Sequence, residues 1–220
     1  MNLQQLLSKP DSERNPQWED QFLAALSEGN VKLLSPDPQE GPDGWPYLMV
    51  TTDMATPTAG ESESFQKIMQ WVSSRGIGLA VNPQKEYPDF VLTFGMLWSF
   101  RETGKFIHRE VQSPSTPQSN KLEFTQKDLQ HAGTPTEKFL PPYVRTILKS
   151  FFRDQGVFSP RILLVSLDGK NYDLAFSAES LGHPPQQEWA GIAEAIAWFL
   201  PSHYSVVITG AANLPAFIEL

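Results

Sequence analysis

The sequence predicts an α+β protein of two similar lobes, each with helices packed on one face of a mostly antiparallel or mixed sheet. Three observations predict it. One order of elements, helix-strand-strand-helix-strand, can be traced twice. A Pro/Ser/Thr-rich gap separates the two copies, with Ser113-Pro-Ser-Thr-Pro117 at its centre and Gly133-Thr-Pro135 at its end. The apolar residues also alternate between helical spacing and short strand-like runs. Residues 1–106 are therefore expected to form an N-terminal lobe, 107–135 the connection, and 136–220 a C-terminal lobe. A chain of 220 residues gives each lobe about 100 residues, enough to bury a core.

In the first lobe, Leu3, Leu6 and Leu7 suggest one docked helical turn before the polar break Lys9-Pro-Asp-Ser-Glu-Arg14. The first full helix starts with Asn15 as N-cap and Pro16 at the first helical position, and ends at Gly29, with Trp18, Phe22 and Leu26 inward. Val31 to Leu34 and Trp45 to Thr51 form an antiparallel hairpin around the acidic segment Ser35-Pro-Asp-Pro-Gln-Glu-Gly-Pro-Asp-Gly44. A second helix over residues 61–74 presents Phe65, Ile68, Met69 and Val72 on one face, with Gly76 as a left-handed cap. Ile77 to Val81 is a short strand stopped by Asn82-Pro83. From Phe90 a strand runs through Thr93, followed by a helix ending at Gly104. Within the connection, Leu122 and Phe124 alternate like an edge strand, and Thr125-Gln-Lys-Asp128 has the form of a capping box.

The second lobe opens with a helix from Pro141 or Pro142. Tyr143, Val144, Ile147, Leu148, Phe151 and Phe152 repeat on its inner side, and Arg145, Lys149 and Arg153 face out. Ile162 to Val165 is a continuous apolar strand and Asp168-Gly-Lys-Asn171 a hairpin turn. The returning strand alternates Tyr172, Leu174 and Phe176 with Asp173, Ala175 and Ser177, which predicts one wet face. Pro184-Pro185 precedes a helix with Trp189, Ile192, Ala193, Ile196 and Phe199 inward. Tyr204 to Thr209 is the last long strand, and Ala216 to Leu220 an edge strand. Residues 217–220 of such an edge can also self-associate.

Composition narrows the function classes. With 17 Lys and Arg against 25 Asp and Glu, the formal net charge is -8, which disfavours nonspecific nucleic-acid capture because that needs a basic face. There are no cysteines, so disulfides, zinc-thiolate sites and cysteine nucleophiles are excluded. The N-terminal residues lack a basic region followed by a long apolar run. The longest apolar stretch, Phe90 to Phe100, is shorter than the roughly 20 residues of a membrane span. A cytoplasmic protein, monomeric or homodimeric, with no membrane or nucleic-acid partner is the expectation.

No catalytic motif emerges. Gly76-Ile-Gly78 precedes a strand instead of joining strand to helix, so it is not a dinucleotide fingerprint. Thr103-Gly-Lys105 has the tail of a phosphate loop, but Phe106 stands where a hydroxyl is required, and a helix cap is the better reading. His108, His131, His183 and His203 are scattered, with no metal-binding pair spacing. No catalytic residue, metal or cofactor is assigned. The binding candidates are Asp37, Glu40 and Asp43 on the acidic loop, with Trp45 beside them; long loops on compact lobes often carry function.

The Ala80-Val-Asn-Pro83 strand end and the Leu140-Pro-Pro-Tyr-Val144 onset, with its Phe151-Phe152 helix, resemble the enhanced serine sensitivity protein B (SseB) family of bacteria. The resemblance covers most of the chain and rests on element order and a few residues. It implies no established catalytic mechanism. Val50-Thr-Thr-Asp53 and the long acidic loop depart from the family pattern. The leading expectation is a noncatalytic binding or regulatory protein with a protein or small-metabolite partner. The alternatives are a small-metabolite enzyme, with His183, His203 or Asp168 as first residues to test, and an acidic protein that neutralises a basic one.

Overall fold

A computed structural model describes residues 2–41, 43–58, 60–84, 87–109, 131–166, 169–210 and 214–220. Its class is α+β, and the chain separates into two compact units, residues 1–106 and 107–220. The expectations at Leu122, Phe124, Thr125 to Asp128 and Asp168 lie outside the described residues.

Unit 1 begins with α1 (Leu3–Leu7), opened by a reciprocal capping box between Asn2 and Gln5. α2 (Pro16–Ser27) follows, and the Asn15 side chain accepts from the Trp18 N–H at 2.9 Å. Trp18, Phe22, Leu23 and Leu26 are buried, with Trp18 and Phe22 stacked. The strands are β1 (Asn30–Leu33), β2 (Gln39–Glu40), β3 (Pro46–Thr51), β4 (Glu63–Ser64), β5 (Gly78–Val81) and β6 (Phe90–Leu92). They form one mixed sheet in the order β4-β1-β3-β5-β6, with β2 also on β3. β3 and β5 are parallel, and the other neighbours antiparallel.

Parallel neighbours need a crossover, supplied here by α3 (Phe65–Ser73). This helix starts later than its apolar pattern suggests. Glu63 and Ser64 pair with Val31 and Asn30 as a sheet edge, and the Ser64 hydroxyl then caps the Lys67 N–H. α4 (Phe94–Thr103) is capped by Thr93 and closed by Gly104 in the left-handed conformation at φ 75°, so Thr103-Gly-Lys105 is indeed a helix end.

Unit 2 holds α5 (Pro142–Asp154), β7 (Arg161–Val165), β8 (Asp173–Ser177), α6 (Trp189–Ala197), β9 (Ser205–Thr209) and β10 (Ile218–Glu219). Its sheet order is β10-β7-β8-β9, with β8 and β9 parallel across the α6 crossover. Two expectations are corrected. β8 has no wet face: Leu174, Ala175, Phe176 and Ser177 are all buried. Phe176 lies against Phe152 of α5 on one side. On the other, Leu163, Val165, Ala175 and Val207 are covered by Ala132, Leu214 and Phe217. A central strand with both faces covered needs apolar or small residues throughout, and Ala175 serves as one. Nor does Arg145 simply face out; its guanidinium donates to the Pro135 and Leu140 carbonyls at 2.8 and 3.0 Å. An arginine can cover orphan carbonyls with several donors at once.

Candidate functional site

The described residues of the acidic segment of unit 1 form a hydrogen-bonded turn. β2 zips onto the start of β3, pairing Gln39 with Tyr47 and Glu40 with Pro46. The Gly41 N–H donates to the Trp45 carbonyl at 2.8 Å, and the Gly44 N–H to the Gly41 carbonyl. Asp43 supplies the cross-brace: one carboxylate oxygen accepts from the Tyr47 hydroxyl at 2.6 Å, the other from the Trp45 N–H at 3.2 Å. The Tyr47 ring lies over Gly41 and Gly78, where a Cβ would come within 2.7 and 2.6 Å of it. Glycine at both positions lets the phenol bridge sheet and turn. Asp37 and Glu40 are exposed, and Trp45 is half-buried beside them. The four sequence candidates thus divide: Asp43 braces the turn, while Asp37 and Glu40 stand on its outside.

A second polar group lies at the C-terminal end of the parallel pair β3–β5, a position where α/β sheets commonly bind ligands. Asn82, at φ 53°, holds the left-handed conformation that Asn tolerates better than most side chains. Its carbonyl oxygen accepts from the Thr52 N–H at 2.8 Å and the Thr51 hydroxyl at 3.1 Å. Its amide donates to the Thr52 hydroxyl at 2.9 Å and to Asp89 at 2.8 Å. Asp89, with a side chain 2% exposed, pairs through its other oxygen with Arg14 at 3.0 Å. The Arg14 guanidinium lies over the Trp18 ring and donates to the Leu7 and Lys9 carbonyls. Trp18 donates its indole N–H to the Leu6 carbonyl at 2.9 Å. The network therefore ties the N-terminal arm, with its fully buried Leu6, to the sheet end.

Sequence reasoning missed Arg14 and Asp89. The available signal was a carboxylate directly before the apolar β6 and a cation directly before a helix cap. Next to the network, Asp53 lies in an exposed turn, where bonds from the Ala55 N–H and then the Thr56 hydroxyl lower its carboxyl pKa. Lys32 closes the same turn by donating to the Met54 and Thr56 carbonyls. An open groove between α3 and α4 is lined by Met69 and Phe100 with Gln66, Gln70 and Arg101.

Comparison of the chain with family models, curated proteins and solved structures finds no match. Among the described residues, no group of three or more His, Cys, Asp or Glu side chains is placed to hold a metal ion. No described helix is long and apolar enough to cross a membrane.

In unit 2, His183 is exposed on the turn after β8, at φ 57°, and its backbone N–H donates to the Ala178 carbonyl. His131 packs on Gly169. His108 and His203 meet, with ring centroids 4.4 Å apart, a convergence that their separation in sequence hides. At the edge, β10 is two residues long, and its exposed Glu219 lies 3.7 Å from Lys149. Such a short, charged edge offers little to pair with.

Proposed function

We propose that this chain is a noncatalytic binding or regulatory protein, resembling the SseB family, that docks a basic protein partner on the acidic turn of unit 1. The observation that carries this reading is the brace at Asp43. One carboxylate fixes the turn through Tyr47 and Trp45, which leaves Asp37 and Glu40 exposed on a backbone already held in place. A pre-ordered turn loses less conformational entropy on binding than a flexible acidic loop, and exposed carboxylates speed the encounter with a cationic surface.

The second polar group supports the same reading. At the β3–β5 end, Asn82, Asp89 and Arg14 hold one another and the N-terminal arm. Their side chains act as structural ties there.

Native mass spectrometry of the full chain, purified gently from its source at low salt, tests the proposal. A stoichiometric basic protein that dissociates as salt rises is expected. A turnover activity abolished by one polar substitution would overturn it.

A further inference from the structure

His108 and His203 lie in the same unit but on very different parts of it. His108 belongs to the short segment just past the unit boundary at Phe106, and His203 to the turn that leads into β9. The two rings meet at 4.4 Å with an interplanar angle of 62°. His203 also packs edge-on against Tyr204, 4.8 Å away. Tyr204 is anchored in turn: its hydroxyl donates to the Phe139 carbonyl at 2.6 Å, and its ring stacks on Phe139. The His203 Nδ1 is buried and has no hydrogen-bond partner among the described residues.

We propose that His108 and His203 form an acid-released clasp that holds the first residues of unit 2 onto the turn before β9. Protonating either ring places a cation against its neighbour, and protonating both places two cations in contact. His108, from the 107–109 segment, and Tyr204, on its own turn, are titratable groups packed against His203. The influences on its proton affinity are burial and then the charge of His108, and both lower it.

The sign follows from linkage. A histidine whose folded pKa lies below its ordinary 6.5 takes up a proton more readily once released. The clasp is therefore at full strength above that ordinary value and weakens as pH falls from it toward the lowered folded value. Each extra proton bound on release changes the opening equilibrium by up to about tenfold per pH unit.

Hydrogen exchange on the full chain, corrected for the intrinsic pH dependence of exchange, tests this at neutral and mildly acidic pH. In the wild type, protection over residues 107–109 should fall by up to about tenfold per pH unit as pH drops from the ordinary histidine value toward the lowered folded one. His203→Phe keeps an aromatic ring without the proton site and should flatten the pH dependence. His108→Phe removes the second cation but leaves His203 buried, so it should lessen the pH dependence without abolishing it, and it serves if the first variant fails to fold. Equal protection at both pH values in the wild type, or an unchanged pH dependence in a folded variant, overturns the proposal.

Discussion

The two units share a plan but finish it differently. In both, a helix leads into an antiparallel strand pair, and a second helix crosses over to a third strand parallel to the second. β1-β3-β5 in unit 1 thus corresponds to β7-β8-β9 in unit 2. In each, a further antiparallel strand lies outside the first. Unit 1 takes it from β4, just before the crossover helix, whereas unit 2 takes it from β10 near the C-terminus.

The ends of the parallel pairs differ more. Unit 1 closes its end with a long-range buried network of Asn82, Asp89 and Arg14. Unit 2 places Ser177 opposite Thr209 there and closes it locally, with the Ser177 hydroxyl donating to Glu179 at 2.7 Å and accepting from the Ser180 N–H. One sheet order can be completed by a charged tie to a distant arm or by a short turn that satisfies itself. The choice determines which segments each unit holds in place.

The largest effect expected of this difference is in unit 2. Ala175→Asp would be harmless on a wet strand face, but on the covered one it buries a carboxylate among Leu163, Val165 and Val207. A loss of several kcal/mol is expected, measured as chemical denaturation of unit 2; a change under about 0.5 kcal/mol, as at a surface site, would restore the wet face. In unit 1, Asp89→Ala takes the buried carboxylate from Arg14 and the Asn82 amide and leaves Arg14 paired with the exposed Asp11 at 3.3 Å. It should destabilise the unit by about 3 kcal/mol and release the N-terminal arm. Hydrogen exchange resolved by segment checks this: protection should drop in β5 and α1 and hold in β9. The smallest effect is that of Tyr47→Phe, which removes the brace on Asp43 and should cost about 1 kcal/mol. Its signature is faster exchange over residues 41–45 with little change elsewhere.

Much of the fold was legible in the sequence because its elements carry local signals. The Asn15 and Pro16 helix start, the strand-to-helix change at Thr93 and the glycine stop at Gly104 are each decided by neighbouring residues. What failed depended on tertiary surroundings. Asp173, Ala175 and Ser177 read as a solvent face until Ala132, Leu214 and Phe217 are seen to pack against the cluster that holds Ala175. Arg145 looks solvated until its carbonyl partners come near. The site was legible by half: the acidic turn stands out by composition, but that Asp43 braces it depends on Tyr47 reaching back across Gly41. The Arg14–Asp89 pair and the His108–His203 contact join residues far apart in the chain, and no local pattern announces either.

The most direct test of the central claim is the affinity of the partner captured from the source for the wild-type chain and for a variant carrying Asp37→Lys and Glu40→Lys, at low and at high salt. Asp43 is left in place so that the turn keeps its brace. Binding that weakens with salt in the wild type and is lost at both salt levels in the variant is the predicted result. Binding that survives the charge reversal, or that is indifferent to salt, would contradict docking through the acidic turn.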